Sequence, residues 1–331
     1  MNLICSRTVP LIVALCITLL GALGCNHRKT VETLTLAENL APISGVTIVA
    51  QKKGFFAARG LDVKVAEFTS GKQCLETVVG KGADIATAAE APTTAAAMAL
   101  EDIAVLARTE FSYLKTLTAT RAAIRSAADL KGKRLAYTAG TGGELYTLRL
   151  LKSAGLTKDD VSLVNLRPED MATALANGSI DAYDTWEPHV LNGQRALGDG
   201  ARLLDTRGVY SETFNIVTRK ELVASRRRAL SAFVRALLDA ESWIGEHRDD
   251  AIALVAGAVG MPAQSLGAIW DDYTYHVVLD QKTIDALDAY TAFRLESGNH
   301  PPNATRPDWH AVVAPEVLRD VDPGRIQLAG Y

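Results

Sequence analysis

Gly82-Ala-Asp84-Ile-Ala-Thr-Ala-Ala-Glu90-Ala-Pro92 and Gly178-Ser-Ile-Asp181-Ala-Tyr-Asp-Thr-Trp-Glu187-Pro188 share one order of parts. Each runs from a glycine turn through an aspartate and a short apolar strand to a glutamate and a proline at a helix start. Working outward, the same unit is written twice. In the first copy, Thr33 to Ala37 alternates like a strand, and Pro42 opens a helical stretch with Val46, Val49 and Ala50 on one face, stopped by Gly54. Leu61 to Phe68 reads as a second strand, Ser70-Gly71 begins a helix, Pro92 begins another, and Ile103 to Ala107 is a fourth strand. In the second copy, Ser126-Ala-Ala-Asp129 has the form of a capping box ahead of a strand from Arg134 to Thr138. A helix from Glu144 to Ala154, a strand from Val161 to Leu166, a helix from Glu169 to Ala176 and a strand from Asp181 to Asp184 follow, and Arg202 to Asp205 closes the unit. Short strands alternating with helices imply parallel sheets with crossover helices, so the fold class is α/β with two lobes.

Beyond a strand at Phe214 to Thr218 the chain reads as helical: Leu222 to Glu246, Asp250 to Ala258, Ala263 to Tyr273 and Lys282 to Glu296. These helices are expected to pack back on the first lobe. The domain reading is therefore 1–24 signal peptide, 25–32 lipidated N-terminus and spacer, 33–118 first lobe, 119–214 second lobe, and 215–331 a return to the first lobe with C-terminal helices.

The chain is 331 residues, 48% apolar and 22% charged, with a net charge of −3. That balance offers no basic footprint for nucleic acid. It also excludes disorder and leaves enough chain for two cores. The leader carries Arg7 and an apolar run from Val9 to Leu23, shorter than the roughly 20 residues of a membrane span but suited to a signal peptide. Leu20-Gly21-Ala22-Leu23-Gly24-Cys25 resembles a bacterial lipobox, with Cys25 as the acylated first residue. Ordinary cleavage after Gly24 would release a soluble periplasmic protein; both readings export the chain. With Cys25 acylated, Cys74 stands alone as an inert thiol among Leu75 and Val78, and no disulfide framework is expected. No Cys/His spacing has the form of a zinc site, and no metal or cofactor is expected.

In open parallel sheets, ligands bind beyond the carboxyl ends of the strands. The loops there are Glu38 to Ser44, Thr69 to Gly71, Ala89 to Pro92 with Glu90 and Ala91, Ala139 to Glu144, Arg167-Pro168 and Thr185 to Pro188. Gly140-Thr141-Gly142-Gly143-Glu144 lets backbone N–H groups approach an anion at a helix start, with the Thr141 hydroxyl as a further donor. It lacks the Gly-Lys-Ser/Thr of a nucleotide loop. A tight turn that needs glycine for geometry alone is the alternative, and the loop's place at the cleft puts anion binding ahead of it. Glu90 and Glu187 occupy matching places on opposite lobes, either to meet an ammonium group or to complement a helix start or a salt bridge. Trp186 either walls the pocket or packs in the interior. Arg226-Arg227-Arg228 reads as a solvated helix face, and no nucleophile–base set has local support.

Gly54-Phe-Phe-Ala-Ala-Arg-Gly60-Leu-Asp-Val, Ser70-Gly71, Gly82-Ala-Asp84-Ile-Ala, Asp129-Leu-Lys-Gly-Lys-Arg134, the Gly140 to Gly143 loop, Ala154-Gly-Leu156, Leu175-Ala-Asn-Gly178-Ser-Ile-Asp181-Ala, Trp186-Glu-Pro188 and the tail Trp309 to Gly324 come in a specific order. In that order the chain resembles the solute-binding proteins of bacterial ABC importers, in the group for taurine, alkanesulfonates, nitrate and thiamine-type pyrimidines. The resemblance implies a type II periplasmic-binding fold, two doubly wound lobes on a two-strand hinge, with crossings near Leu117 to Arg121 and Asn215 to Thr218. It implies a monomer that binds a small solute and docks on a permease with ATPase subunits, tethered to the membrane through Cys25. Ser44, Ser70, Gly71, Glu90, Ala91, Thr141, Gly142, Gly143, Glu144, Trp186 and Glu187 are the expected ligand-binding positions. A sulfonate or carboxylate at Thr141 to Gly143 with an amine at Glu90 would suit taurine. An aminopyrimidine on Glu90 or Glu187, stacked on Trp186, is the competing ligand, with nitrate behind it. Rival classes are a lipid-tethered sensor module and a pyrimidine-synthase-like enzyme, whose cysteine-rich motif is missing here.

Overall fold

The computed structural model describes residues 31–329; the leader and Cys25, with the acylation expected there, lie outside that range. Among the described residues no helix is long and apolar enough to cross a membrane. The strands are β1 (Glu32–Asn39), β2 (Leu61–Phe68), β3 (Ile85–Ala89), β4 (Ile103–Tyr113), β5 (Lys115–Ala119), β6 (Arg134–Tyr137), β7 (Ser162–Asn165), β8 (Ala182–Thr185), β9 (Ala201–Leu203), β10 (Ser211–Arg219), β11 (Thr274–Asp280) and β12 (Ile326–Gln327). They form a seven-stranded sheet, ordered β12-β11-β4-β10-β3-β1-β2, and a five-stranded sheet, ordered β7-β6-β8-β5-β9. β1 pairs in parallel with β2 and β3, and β6 pairs in parallel with β7 and β8. β3 is buried along its whole length, as a strand covered by helices on both faces must be.

The repeated aspartate has a physical job in both lobes. Asp84 Oδ2 accepts hydrogen bonds from the Thr35 backbone N–H (2.8 Å) and hydroxyl (2.9 Å) near the start of β1. Asp181 Oδ2 accepts from the Arg134 backbone N–H (2.9 Å) at the start of β6, and the Arg134 guanidinium completes the clasp at 2.7 Å. Each aspartate thus ties the entry of a third strand to the entry of a first.

Several expectations change. The fourth strand runs on from Ala107 to Tyr113 and does not lie beside β3; β10 is inserted between them, antiparallel to both. The second sheet repeats this, with β5 antiparallel between β8 and β9. Connectivity goes with this: β4 passes into β5 of the other sheet through Leu114 alone, and the place between β3 and β4 is taken by β10 when the chain returns. The chain therefore changes sheets at Leu114 and again along Leu204 to Tyr210, ahead of Leu117 to Arg121 and Asn215 to Thr218, which fall in β5 with its following turn and within β10. Residues 115–118, read as first lobe, lie in the second sheet, and 211–214 lie in the first.

The helix read from Leu222 to Glu246 breaks at Arg226 into Lys220–Ser225 and Arg227–Glu246. The longer piece buries Leu230, Phe233, Val234 and Leu237, and the Phe233 ring stacks on Phe56 at 4.8 Å. Arg226 donates to the Thr33 carbonyl and Arg227 grips Asp320, so these two arginines tie elements together rather than merely facing solvent. β11 was hidden between two helical readings, and the helix expected from Pro92 begins two residues earlier, at Glu90.

Candidate functional site

The carboxyl ends of β3 and β8 face each other across the seam between the sheets, and Glu90 opens the helix after β3. Its side chain is fully buried. The Tyr210 hydroxyl donates to Oε1, and the Thr213 backbone N–H (2.7 Å) and hydroxyl (3.1 Å) donate to Oε2. Burial pushes Glu90 up to about 7 against the pull of those donors and of Arg149.

Gly142 comes from the opposite lobe to meet this carboxyl. A Cβ at Gly142 would stand 3.2 Å from Glu212 Oε1, 3.3 Å from the Tyr210 ring and 3.4 Å from Glu90 Oε1. The first turn of the helix Gly142–Ser153 therefore faces two acids of the other lobe, charge of the sign its dipole favours. The seam is sealed by an apolar cluster in which Ala91 packs with Leu145, Tyr146, Tyr210 and Tyr290.

A third acid lies on the same sheet face. Glu110 pairs with Phe214 and Ser112 with Glu212 in the β4–β10 ladder, which makes Glu110 and Glu212 diagonal neighbours. Glu110 is fully buried and neither of its carboxyl oxygens has a hydrogen-bond partner. Burial and the Glu212 charge hold it well above the usual carboxylate range, with Ser112 and Arg108 opposing. Glu212 is raised by burial and by Glu90. Buried polar atoms without partners also include Arg108 Nη1 on β4, Thr185 Oγ1 at the end of β8, Asn215 Oδ1 on β10, the Tyr273 hydroxyl and Arg294 Nε.

The expected positions divide. Glu90, Ala91, Gly142, Gly143 and Trp186 come together: a Cβ on Gly143 would touch the Trp186 ring at 3.7 Å. Thr141 is at the seam through its carbonyl, which accepts from Tyr290 at 3.1 Å. Its hydroxyl donates to the Thr138 carbonyl (2.7 Å) and accepts from Gly143 N–H (3.1 Å), so it caps its own helix and is not the free donor expected of it. Glu144 folds back to accept from Gly140 N–H at 2.8 Å. Glu187 accepts from Lys115 Nζ (2.9 Å) and Leu191 N–H (2.9 Å), which holds it at the first crossing instead. Ser44 donates to the Asn39 carbonyl, Ser70 caps the helix Gly71–Val79, and Gly71 abuts β3, where a Cβ would lie 3.0 Å from Ala88 Cα. Glu110, Glu212 and Tyr210 escaped the sequence reading because they lie on antiparallel strands and a crossing, not on strand-to-helix loops. The available signal was limited to Glu110, a glutamate that closely follows the apolar run Ile103 to Ala107.

Residues 42–251 match the family described as NMT1/THI5 like. The chain belongs to the NMT1/THI5-like family. Within reach of this family, a protein of Bacillus subtilis provisionally named as an aliphatic sulfonates-binding protein is 26% identical over 244 residues, 71% of each chain. The periplasmic aliphatic sulphonate-binding protein of Escherichia coli superposes with a TM-score of 0.73 at 22% identity, covering 86% of this chain and 92% of that one. A desulfurization enzyme superposes with a TM-score of 0.68 at 20% identity, covering 88% and 98%. At these identities the superpositions establish the fold, a two-lobed periplasmic-binding architecture, and the fold by itself does not separate binding from turnover.

Proposed function

We propose that this NMT1/THI5-like chain is the extracytoplasmic solute-binding component of an ABC importer, a non-catalytic protein that closes two lobes over a small anionic or zwitterionic solute. The observation that carries the reading is the seam itself. Gly142 of one lobe approaches Glu90 and Glu212 of the other, and Glu110, the diagonal neighbour of Glu212, is buried with both carboxyl oxygens unpartnered. Buried polar groups are ordinarily paired, so such a cluster at a closing seam supports a ligand that completes it. Ligand would stabilise the closed lobes, and that form would dock on a permease whose ATPase subunits supply the energy. The sulfonate-binding relative supports the transport class, and the leader supports export with a lipid tether at Cys25 to a chain that acts as a monomer.

Thermal unfolding of the Cys25→Ser protein against taurine, alkanesulfonates, nitrate, bicarbonate and aminopyrimidines tests this. A solute at 100 times its Kd adds about 2.7 kcal/mol and several degrees to the Tm. A response to one solute, with that solute recovered unchanged, supports the importer component. Chemical conversion of it would favour an enzyme, and a flat panel would remove the taurine–sulfonate reading.

A further inference from the structure

We infer that the seam contains a subsite for a cationic N–H-bearing group, an ammonium, amidinium or protonated aminopyrimidine, held by Glu212 and Glu110 on the antiparallel strands β10 and β4. The inference rests on the binding reading above and narrows it: a plain sulfonate or nitrate would leave this subsite unmatched.

Three observations carry it. Glu90 is already satisfied, because Tyr210 and Thr213 supply donors to both of its oxygens. Glu110 is not, since it is fully buried with two unpartnered carboxyl oxygens. Two acids side by side in a dry site require a positive partner or retained protons. Among the described residues no ion pair reaches Glu110 or Glu212: Arg108, which pulls on Glu110 from two residues along β4, grips Asp280 at 2.6 Å, and Arg149, which pulls on Glu90, lies over the Tyr210 ring at 5.4 Å. Tyr275 stands opposite Glu110 on β11, and Tyr273, stacked near it at 6.0 Å with its own hydroxyl unpartnered, adds an aromatic wall and an acceptor. An N–H cation beside carboxylates and ring faces is well served by that lining. Among the described residues no group of acids, histidines and cysteines is arranged to hold a metal ion, which favours the organic cation.

The test uses the purified exported protein at pH 8. Methylammonium chloride is compared with equimolar sodium chloride and calcium chloride, and taurine with its hydroxyl counterpart isethionate. Methylammonium should raise the Tm above the sodium control, and taurine should bind at least tenfold more tightly than isethionate. The Glu110→Gln/Glu212→Gln variant should lose both differences while its ligand-free Tm does not fall, because neither carboxyl has an ion-pair partner within the protein to lose. If that variant does not fold, Glu212→Gln alone and the salt comparison on the unaltered protein still decide. Methylammonium indistinguishable from sodium, a larger calcium response, or isethionate binding as well as taurine would overturn the subsite. A plain-anion response would leave the importer reading standing without it. A methylammonium response with every solute silent would keep the subsite and count against the importer panel.

Discussion

The two lobes begin from the same sequence unit and part at one residue. Asp84 and Asp181 do the same work, each clasping the entry of the first strand in its own sheet. The glutamates that follow do not. Glu90 is sealed in the seam and held by Tyr210 and Thr213, whereas Glu187 is held by Lys115 at the crossing between lobes. Matching sequence positions thus carry a shared folding device and two differently placed acids. One lobe supplies acids to the cleft, and the other supplies a glycine-rich helix start and an aromatic face.

The largest effect expected from this asymmetry falls on the Glu187 side. Lys115 bridges Glu187 at 2.9 Å and Asp272 at 2.6 Å, and the Glu187 side chain is almost wholly buried. Removing one partner of a buried pair leaves an uncompensated charge, so Lys115→Ala should destabilise by about 3–5 kcal/mol, read as a denaturant midpoint. Next come the two clasps. Asp84→Ala and Asp181→Ala should each cost about 2 kcal/mol, since each deletes charge-assisted hydrogen bonds to a strand entry. Similar losses would support equivalence of the two copies; a loss confined to one would break it.

Much of the fold was legible because its signals are local. β2 is read from its residues without error, and Leu61 to Phe68 is bounded by Gly60 and by Ser70-Gly71. The capping box at Ser126 to Asp129 is present as written. What failed was non-local. Nothing in Ile103 to Ala107 announces that β10, drawn from a hundred or so residues away, will pair beside it, and β11 was lost between two helical patterns. The site divided the same way. Glu90 and Gly142 were legible because strand-to-helix loops converge in any such sheet. Glu110 and Glu212 become neighbours only through the β4–β10 ladder, which the sequence does not spell out.

The sealed glutamate of the first lobe should also give the protein a pH response. Glu90 rises from an ordinary 4.5 to about 7 on folding, so the folded protein holds more protons than the unfolded chain between those values. Stability from this group is therefore full below about 4.5, declines as pH rises, and levels off above about 7. Glu38 and Asp184, both pushed by burial to about 7, act in the same sense. The denaturant midpoint should rise as pH falls from 8 to 5.5. Glu90→Gln should flatten that slope by about 1–2 kcal/mol.

The smallest effect is the most specific to the cleft. Gly142 has an ordinary helical place, and a Cβ there would not strain its own backbone; the nearest atoms it would meet are Glu212 Oε1, the Tyr210 ring and Glu90 Oε1, all from across the seam, at 3.2–3.4 Å. Those contacts exist when the lobes are together and vanish when they part. Gly142→Ala should therefore change unfolding by less than about 0.5 kcal/mol in the ligand-free protein, since alanine favours the helix it starts. It should weaken solute binding about three- to tenfold, chiefly by disfavouring closure, which population-shift arithmetic converts directly into apparent Kd. Calorimetric titration beside the unfolding curve separates the two. A variant that loses stability but not affinity would mean that Gly142 serves the turn of its own lobe, and that the facing acids are not what the closed lobes are built to enclose.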